Sequence, residues 1–271
     1  MTGAALASEI PAPLLGVKAK LDRAGEHFNA LNDVVQPFLK RRPYRFTDYF
    51  DPNLRIYYLY VEPTEEMPRE IGVIMGDVLH NLHSALDHTI CALARVHDPM
   101  CECTTTEFPI YTDAKEYRKK VGRTLRGVPE GAKAVIEQLQ PFNCGDDPNL
   151  HILELLRRFS NVDKHRSLHV ALGALQAATI KAPRDLGLQP IRFNAGPIEG
   201  RTEIAALYVP PHVNSVVEMK VDGAIHVVID EGKGLWPDNQ RALLDDTLYA
   251  MFEWIGAKVL PQLEPFVVDH H

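Results

Sequence analysis

The sequence predicts an α+β protein, a helical bundle of long amphipathic helices with an antiparallel β-meander inserted before the C-terminal helix. Two observations carry that prediction. Apolar residues recur at helical spacing through most of residues 14–165 and again over about 238–260. At about residue 170 the texture changes to short β-branched segments separated by Gly, Pro and Asn. With 271 residues, 45% of them hydrophobic, the chain has enough apolar material for a substantial core.

Residues 1–12 read as a flexible tail, closed by Pro11 and Pro13. Leu14, Val17, Leu21, Ala24, Phe28, Leu31, Val35 and Phe38 predict one long helix that bends or ends near Pro37. KRRPYRFTDYFDPN then reads as a loop, and residues 54–62 (LRIYYLYVE), between Pro52 and Pro63, as a short strand. Pro68 opens a second long helix at a favourable first-turn position, with Ile71, Met75, Val78, Leu82, Leu86 and Leu93 in its apolar stripe. Short helices follow at about 113–121 and 129–140. A further one, capped by Asn149, runs on to His165 and completes a bundle over 13–170. The β insert spans 171–235, with Asp222-Gly223 as a hairpin signal. The last helix lies within 236–268 and finishes the bundle.

The formal net charge of −7 and pI near 5.9 argue against a general nucleic-acid coat protein. Basic residues do cluster at Lys40-Arg41-Arg42, Arg118-Lys119-Lys120, Arg157-Arg158 and Lys164/Arg166, and such a pocket can hold a polyanion. No apolar run approaches the ~20 residues of a membrane span, and the N-terminus lacks the pattern of a signal peptide. The expectation is a cytoplasmic protein that does not engage a membrane. Cys91, Cys101, Cys103 and Cys144 are too sparse for a disulfide framework and read as free thiols. His97, Cys101 and Cys103 invite a zinc reading, but only Cys144 and His151 are left to complete four ligands. Walker A, G-x-S-x-G, H-E-x-x-H and Rossmann patterns are all absent. No cofactor and no metal are expected.

The functional question lies in HNLHSALDH (80–88) and RFSNVDKHR (158–166). On a helical wheel Asp77, Asn81, Ser84 and His88 fall along one flank of the apolar stripe, with His80, His83 and Asp87 around the other. Three readings compete. His80 with Ser84 or Asp87, or His88 with Asp77, offers two metal ligands from one helix, but the Glu-x-x-His pattern of di-iron bundles is missing. A structural clasp is the second reading, since a satisfied polar network fixes one packing register. The third is chemical. Arg158 and His165 are seven apart, on one face of a continuing helix, with Asn161 and Asp163 between them and Lys164 and Arg166 alongside. A histidine that exchanges protons near neutral pH and a guanidinium that stabilises phosphate charge are the minimal kit for metal-independent RNA cleavage.

That second motif, Arg158 followed by His165, resembles the signature of the HEPN superfamily of helical-bundle proteins, Arg-x4–6-His. The resemblance implies either a dimeric endoribonuclease of toxin or phage-defence type or a binding module that has lost activity. Phe159 replaces the polar residue usual after the arginine, and the β insert is not part of the compact HEPN bundle. A second resemblance spans most of the chain. GDVLHNLHSALDH, EFPIY, QPF and LLRRFSNVDKHRSL resemble, in the same order, a widespread set of bacterial proteins that brings no established activity. His83 stands where those proteins carry arginine.

Two functions follow as expectations. One is a binding or interaction module with a polar pocket formed by His80, Asn81, His83, Asp87, Lys164 and Arg166, with the sheet as contact surface. The other is a ribonuclease in which His165 and Arg158 are catalytic, supported by Asn161, Asp163 and His88, with RNA as partner. In both, the two motifs converge on one site, and the wide apolar stripes point to a homodimer.

Overall fold

A computed structural model of the protein describes residues 12–145, 147–165, 168–173, 178–181, 189–193, 196–198, 200–212, 220–223, 225–230 and 242–268. The fold is α+β, with antiparallel sheets and a C-terminal helix after the strands. The helices are α1 (Leu15–Lys40), α2 (Glu70–His97), α3 (Ala114–Thr124), α4 (Glu130–Gln138), α5 (Ile152–Asp163) and α6 (Leu244–Trp254), with the short α7 (Leu260–Leu263) and α8 (Pro265–Val268). The strands are β1 (Tyr44–Asp51), β2 (Ile56–Pro63), β3 (Val170–Gly173), β4 (Ala178–Lys181), β5 (Gln189–Phe193), β6 (Thr202–Tyr208), β7 (Lys220–Gly223), β8 (His226–Ile229) and β9 (Ala242–Leu243). The described residues fall in two compact units, one drawn from 1–29, 75–166 and 248–271, the other from 30–74 and 167–247. Among the described residues no helix is long and apolar enough to cross a membrane.

In the first unit α2 is buried almost all round, with Met75, Val78, Leu79, Leu82, Ala85, Leu86, Ile90 and Leu93 inside. Between Met75 and Leu93 its exposed positions reduce to a narrow stripe through Asp77, His80 and His88, with Ser84 half-buried between them. The helix-wheel expectation put His80 on the opposite flank from Asp77, Ser84 and His88, and the structure joins all four on this stripe. α1 runs antiparallel to α2 beside the stripe, since His27 meets Asp77 and Gly16 meets His88. Gly16 leaves room for the His88 ring at that crossing, where a Cβ would stand 2.8 Å from its Nδ1.

α5 is capped by His151, not by Asn149, which lies in a preceding 3-10 turn. His151 Nδ1 accepts the Leu153 N–H at 3.3 Å, and its ring packs edge-on against Trp254. Burial holds the His151 imidazole below its ordinary pKa. The unfolded chain therefore binds that proton more readily than the folded one. Stability from this group is present above pH ~6.5 and is lost as pH falls through the depressed value. His151→Asn keeps a capping oxygen without the titration, so its urea midpoint should fall less than wild type's between pH 7 and 5.

The C-terminal helix starts at Leu244, after β9, where the sequence predicts helix from about 238. Residues 238–241 lie outside the described residues. Pro261 explains the π-helical stretch Ile255–Val259 that follows α6. A proline ring collides with the carbonyl four residues back, and widening the helix makes room for it. α1, by contrast, runs through Pro37 to Lys40.

In the second unit the main sheet has the order β1-β2-β6-β5, antiparallel throughout. The segment expected as a loop after Lys40 is strand β1, paired with β2 from Tyr44↔Pro63 to Asp51↔Ile56. Its turn is fixed by Asp51, whose Oδ1 accepts from the N–H groups of Asn53 and Leu54. Tyr57, Leu59 and Val61 of β2 face a core shared with Phe38, Leu172, Ile204 and Leu207. Pro190 sits on the edge strand β5, where its missing N–H interrupts no central ladder. The strands after residue 170 are antiparallel and precede the C-terminal helix, as the sequence predicts, and among the described residues they are distributed over three sheets. β3-β8-β9 and β4-β7 form the other two, so β7, which contains the Asp222-Gly223 signal as its last two residues, and β8, which follows it, pair with different strands and not with each other.

The cysteines also depart from expectation. Cys91 and Cys103 are joined by a disulfide, with their Cα atoms 5.6 Å apart, while Cys101 and Cys144 are free.

Candidate functional site

Four titratable side chains from three helices gather at the α2 stripe of the first unit. Asp77 and His80 come from α2, His27 from α1 and Asp163 from the last turn of α5. His27 Nδ1 lies 3.9 Å from Asp77 Oδ2. Asp163 reaches this place because Gly76 has no side chain. A Cβ on Gly76 would overlap both carboxylate oxygens of Asp163, so the carboxylate lies directly on the glycine backbone. Burial pushes the Asp163 carboxyl above its ordinary range, the Asp77 carboxylate adds to the rise, and His80 pulls it back. Thus Asp163 of the second motif rests on Gly76, one turn before the first motif, where its carboxyl feels the charges of Asp77 and His80. Among the described residues no ion pair joins either carboxylate to a lysine or arginine.

The other residues of the first motif have separate partners. Asn81 is buried and donates from Nδ2 to the Asp77 carbonyl within the helix, at 2.8 Å. His83 Nδ1 lies 3.3 Å from Asp87 Oδ2, and Asp87 Oδ1 accepts the Phe108 N–H at 2.9 Å. Gln140 completes this clasp on the same segment. Its Oε1 accepts the Tyr111 N–H, and its Nε2 donates to the carbonyls of Pro109 and Ile136. His88 lies farther along α2, against Gly16, in the wall of a pocket of about 550 Å3 that Asp87 and Arg95 also line.

The second motif is split by the end of its helix. α5 stops at Asp163, and His165 lies in the following turn with its N–H bonded to the Val162 carbonyl at 3.0 Å. The expected continuous face from Arg158 to His165 is therefore interrupted. Arg158 is half-buried, while Asn161, Lys164 and His165 are exposed. Arg166 lies outside the described residues. Arg157, expected as part of a basic cluster, forms a two-point pair with buried Glu154, with contacts of 2.6 and 2.7 Å.

Among the described residues no group of three or more His, Cys, Asp or Glu is arranged to hold a metal ion. The disulfide takes Cys103 out of the His97, Cys101 and Cys103 zinc set as a thiolate ligand. His27 and Gly76 are the residues that sequence reasoning passed over. His27 is isolated in α1 and carries no local signal. Gly76 does carry one, because a glycine inside a long helix costs ~1 kcal/mol relative to alanine and calls for a reason such as close approach.

Comparison with known proteins leaves the reading to this geometry: no family model, no curated protein and no solved structure matches the chain.

Proposed function

We propose that the protein is a binding module whose helical unit takes a cationic group at Asp77 and Asp163, with His27 and His80 as flanking imidazoles. The observation that carries this reading is the Asp163 carboxylate seated on Gly76 beside Asp77. The Asp77 carboxylate disfavours ionisation of Asp163, and among the described residues no lysine or arginine is paired with either; an amine or guanidinium between them relieves that repulsion.

The raised Asp163 pKa fixes the sign of the pH effect. The folded state holds this proton more tightly than the unfolded chain. Its contribution to stability is present at acid pH and lost as pH rises through the raised value, so at pH 7 the ionised site carries a cost. Asp163→Asn should therefore melt higher than wild type at pH 7, with the gain shrinking near pH ~4. Short diamines and guanidinium compounds should raise the melting temperature of wild type but not of Asp163→Asn. At a concentration of ~100 Kd that stabilisation is worth ~2.7 kcal/mol. No shift with any cation, together with an unchanged Asp163→Asn melting curve, would refute the reading.

A second reading, the HEPN-like ribonuclease, is supported by the exposure of His165 at the end of α5, where it can reach a substrate hydroxyl. Single-stranded and structured RNA should then be cleaved in excess EDTA, and cleavage should be lost in His165→Ala and Arg158→Ala. The HEPN resemblance also implies paired motifs, so the active species would sediment as a dimer. RNA left intact by well-folded protein would leave the binding module as the sole reading.

A further inference from the structure

Three cysteines of the first unit are close enough to exchange partners. Cys91 of α2 is bonded to Cys103, and the free Cys101 has its Sγ 3.8 Å from Cys103 Sγ, in van der Waals contact. Cys103 has no S–H while bonded, so the proton at this contact belongs to Cys101. Residues two apart on an extended chain keep their side chains farther apart than this. Here the left-handed conformation of Cys103, at φ 55°, folds the chain back and brings the two sulfurs together. The arrangement is held on both sides. The Cys101 N–H donates to the Asp98 carbonyl at 2.9 Å, Arg95 Nε donates to the Cys101 carbonyl at 3.2 Å, and Thr106 Oγ1 donates to the Cys103 carbonyl at 3.0 Å.

We propose that Cys91, Cys101 and Cys103 form a thiol–disulfide exchange site that acts on small-molecule disulfides. The Cys101 thiolate attacks Cys103 Sγ. The Cys91–Cys103 bond breaks, a Cys101–Cys103 bond forms, and Cys91 leaves as a thiolate that takes up the proton given by Cys101. The step is redox-neutral, as exchange through an attacking thiolate is. Cys91 then faces the pocket of about 550 Å3 lined also by Gly16, His88 and Arg95. A small disulfide entering that pocket is attacked at one sulfur by Cys91. One half stays on Cys91 as a mixed disulfide, and the other half leaves as a thiolate.

The sequence makes the exchange easy to read. Trypsin cuts after Arg69, Arg95 and Lys115, placing Cys91 on one peptide and Cys101 with Cys103 on the next. The full-length protein, purified without reductant, is held at pH 8 with or without oxidised glutathione. Free thiols are then blocked with N-ethylmaleimide before digestion and mass spectrometry. Two species are expected without glutathione: the cross-linked peptide pair with Cys101 blocked, and a looped Cys101–Cys103 peptide with Cys91 blocked. With oxidised glutathione, Cys91 should carry the glutathionyl group. In Cys101→Ser both the loop and the glutathionyl adduct on Cys91 should be lost. Cys91→Ser, which needs no cross-link to α2, should form the Cys101–Cys103 loop on oxidation. The proposal is overturned if wild type yields only the cross-linked pair, if Cys91 is glutathionylated equally in Cys101→Ser, or if Cys91→Ser never forms the loop.

Discussion

Gln140→Leu is expected to lower the unfolding free energy by about 3 kcal/mol, a large loss for a single polar side chain. Gln140 is fully buried, and its amide makes three hydrogen bonds, to the Tyr111 N–H and to the carbonyls of Pro109 and Ile136. Leucine fills nearly the same volume, so the change leaves little cavity. The loss comes from backbone groups of the 109–111 segment left without a partner, at ~1–3 kcal/mol for each one that water cannot reach. Urea denaturation should show a lower midpoint with an unchanged slope, because the surface exposed on unfolding is the same. An unchanged midpoint would mean that water replaces the amide freely and that the segment is not held by Gln140.

This clasp gives a physical meaning to part of the sequence pattern. The SALDH, FP and QP stretches follow one another along the sequence at 84–88, 108–109 and 140–141. In this chain Asp87, Phe108-Pro109 and Gln140 are the members of one hydrogen-bonded unit. Periodicity made the long helices legible, because α2 buries a wide apolar face over many turns. It missed β1, whose aromatic and charged residues alternate irregularly and which is a strand only because β2 pairs with it. Strand pairing was the least legible feature. A local Asp-Gly signal cannot reveal that β7 and β8 find partners far away in sequence. For the site, the wheel sorted α2 by residue type, whereas exposure is set by which neighbours cover each position. The covering helices contribute His27 and Asp163, which no pattern within α2 can announce.

The last expected result joins Gly76 to Asp163. In an exposed helix, Gly→Ala stabilises by ~1 kcal/mol through backbone entropy. At Gly76 the added methyl would occupy the space of the Asp163 carboxylate, which must swing away from its seat. Overpacking of this kind costs ~1–3 kcal/mol, so Gly76→Ala should destabilise the wild-type chain despite its better helix propensity. In an Asp163→Ala background the obstruction is gone, and the same change should become stabilising. The two substitutions should thus show a coupling of ~1–3 kcal/mol in a double-mutant cycle followed by urea denaturation. Additivity within ~0.5 kcal/mol would mean that the carboxylate does not rest on Gly76. The cycle also bears on function. Gly76→Ala removes no polar atom, so if it abolishes the melting shift produced by diamines, the response depends on where Asp163 is held and not on its charge alone. Gly76 is then a positioning residue, and the Gly76-Asp77 pair just before the first motif is read as a seat beside a ligand group.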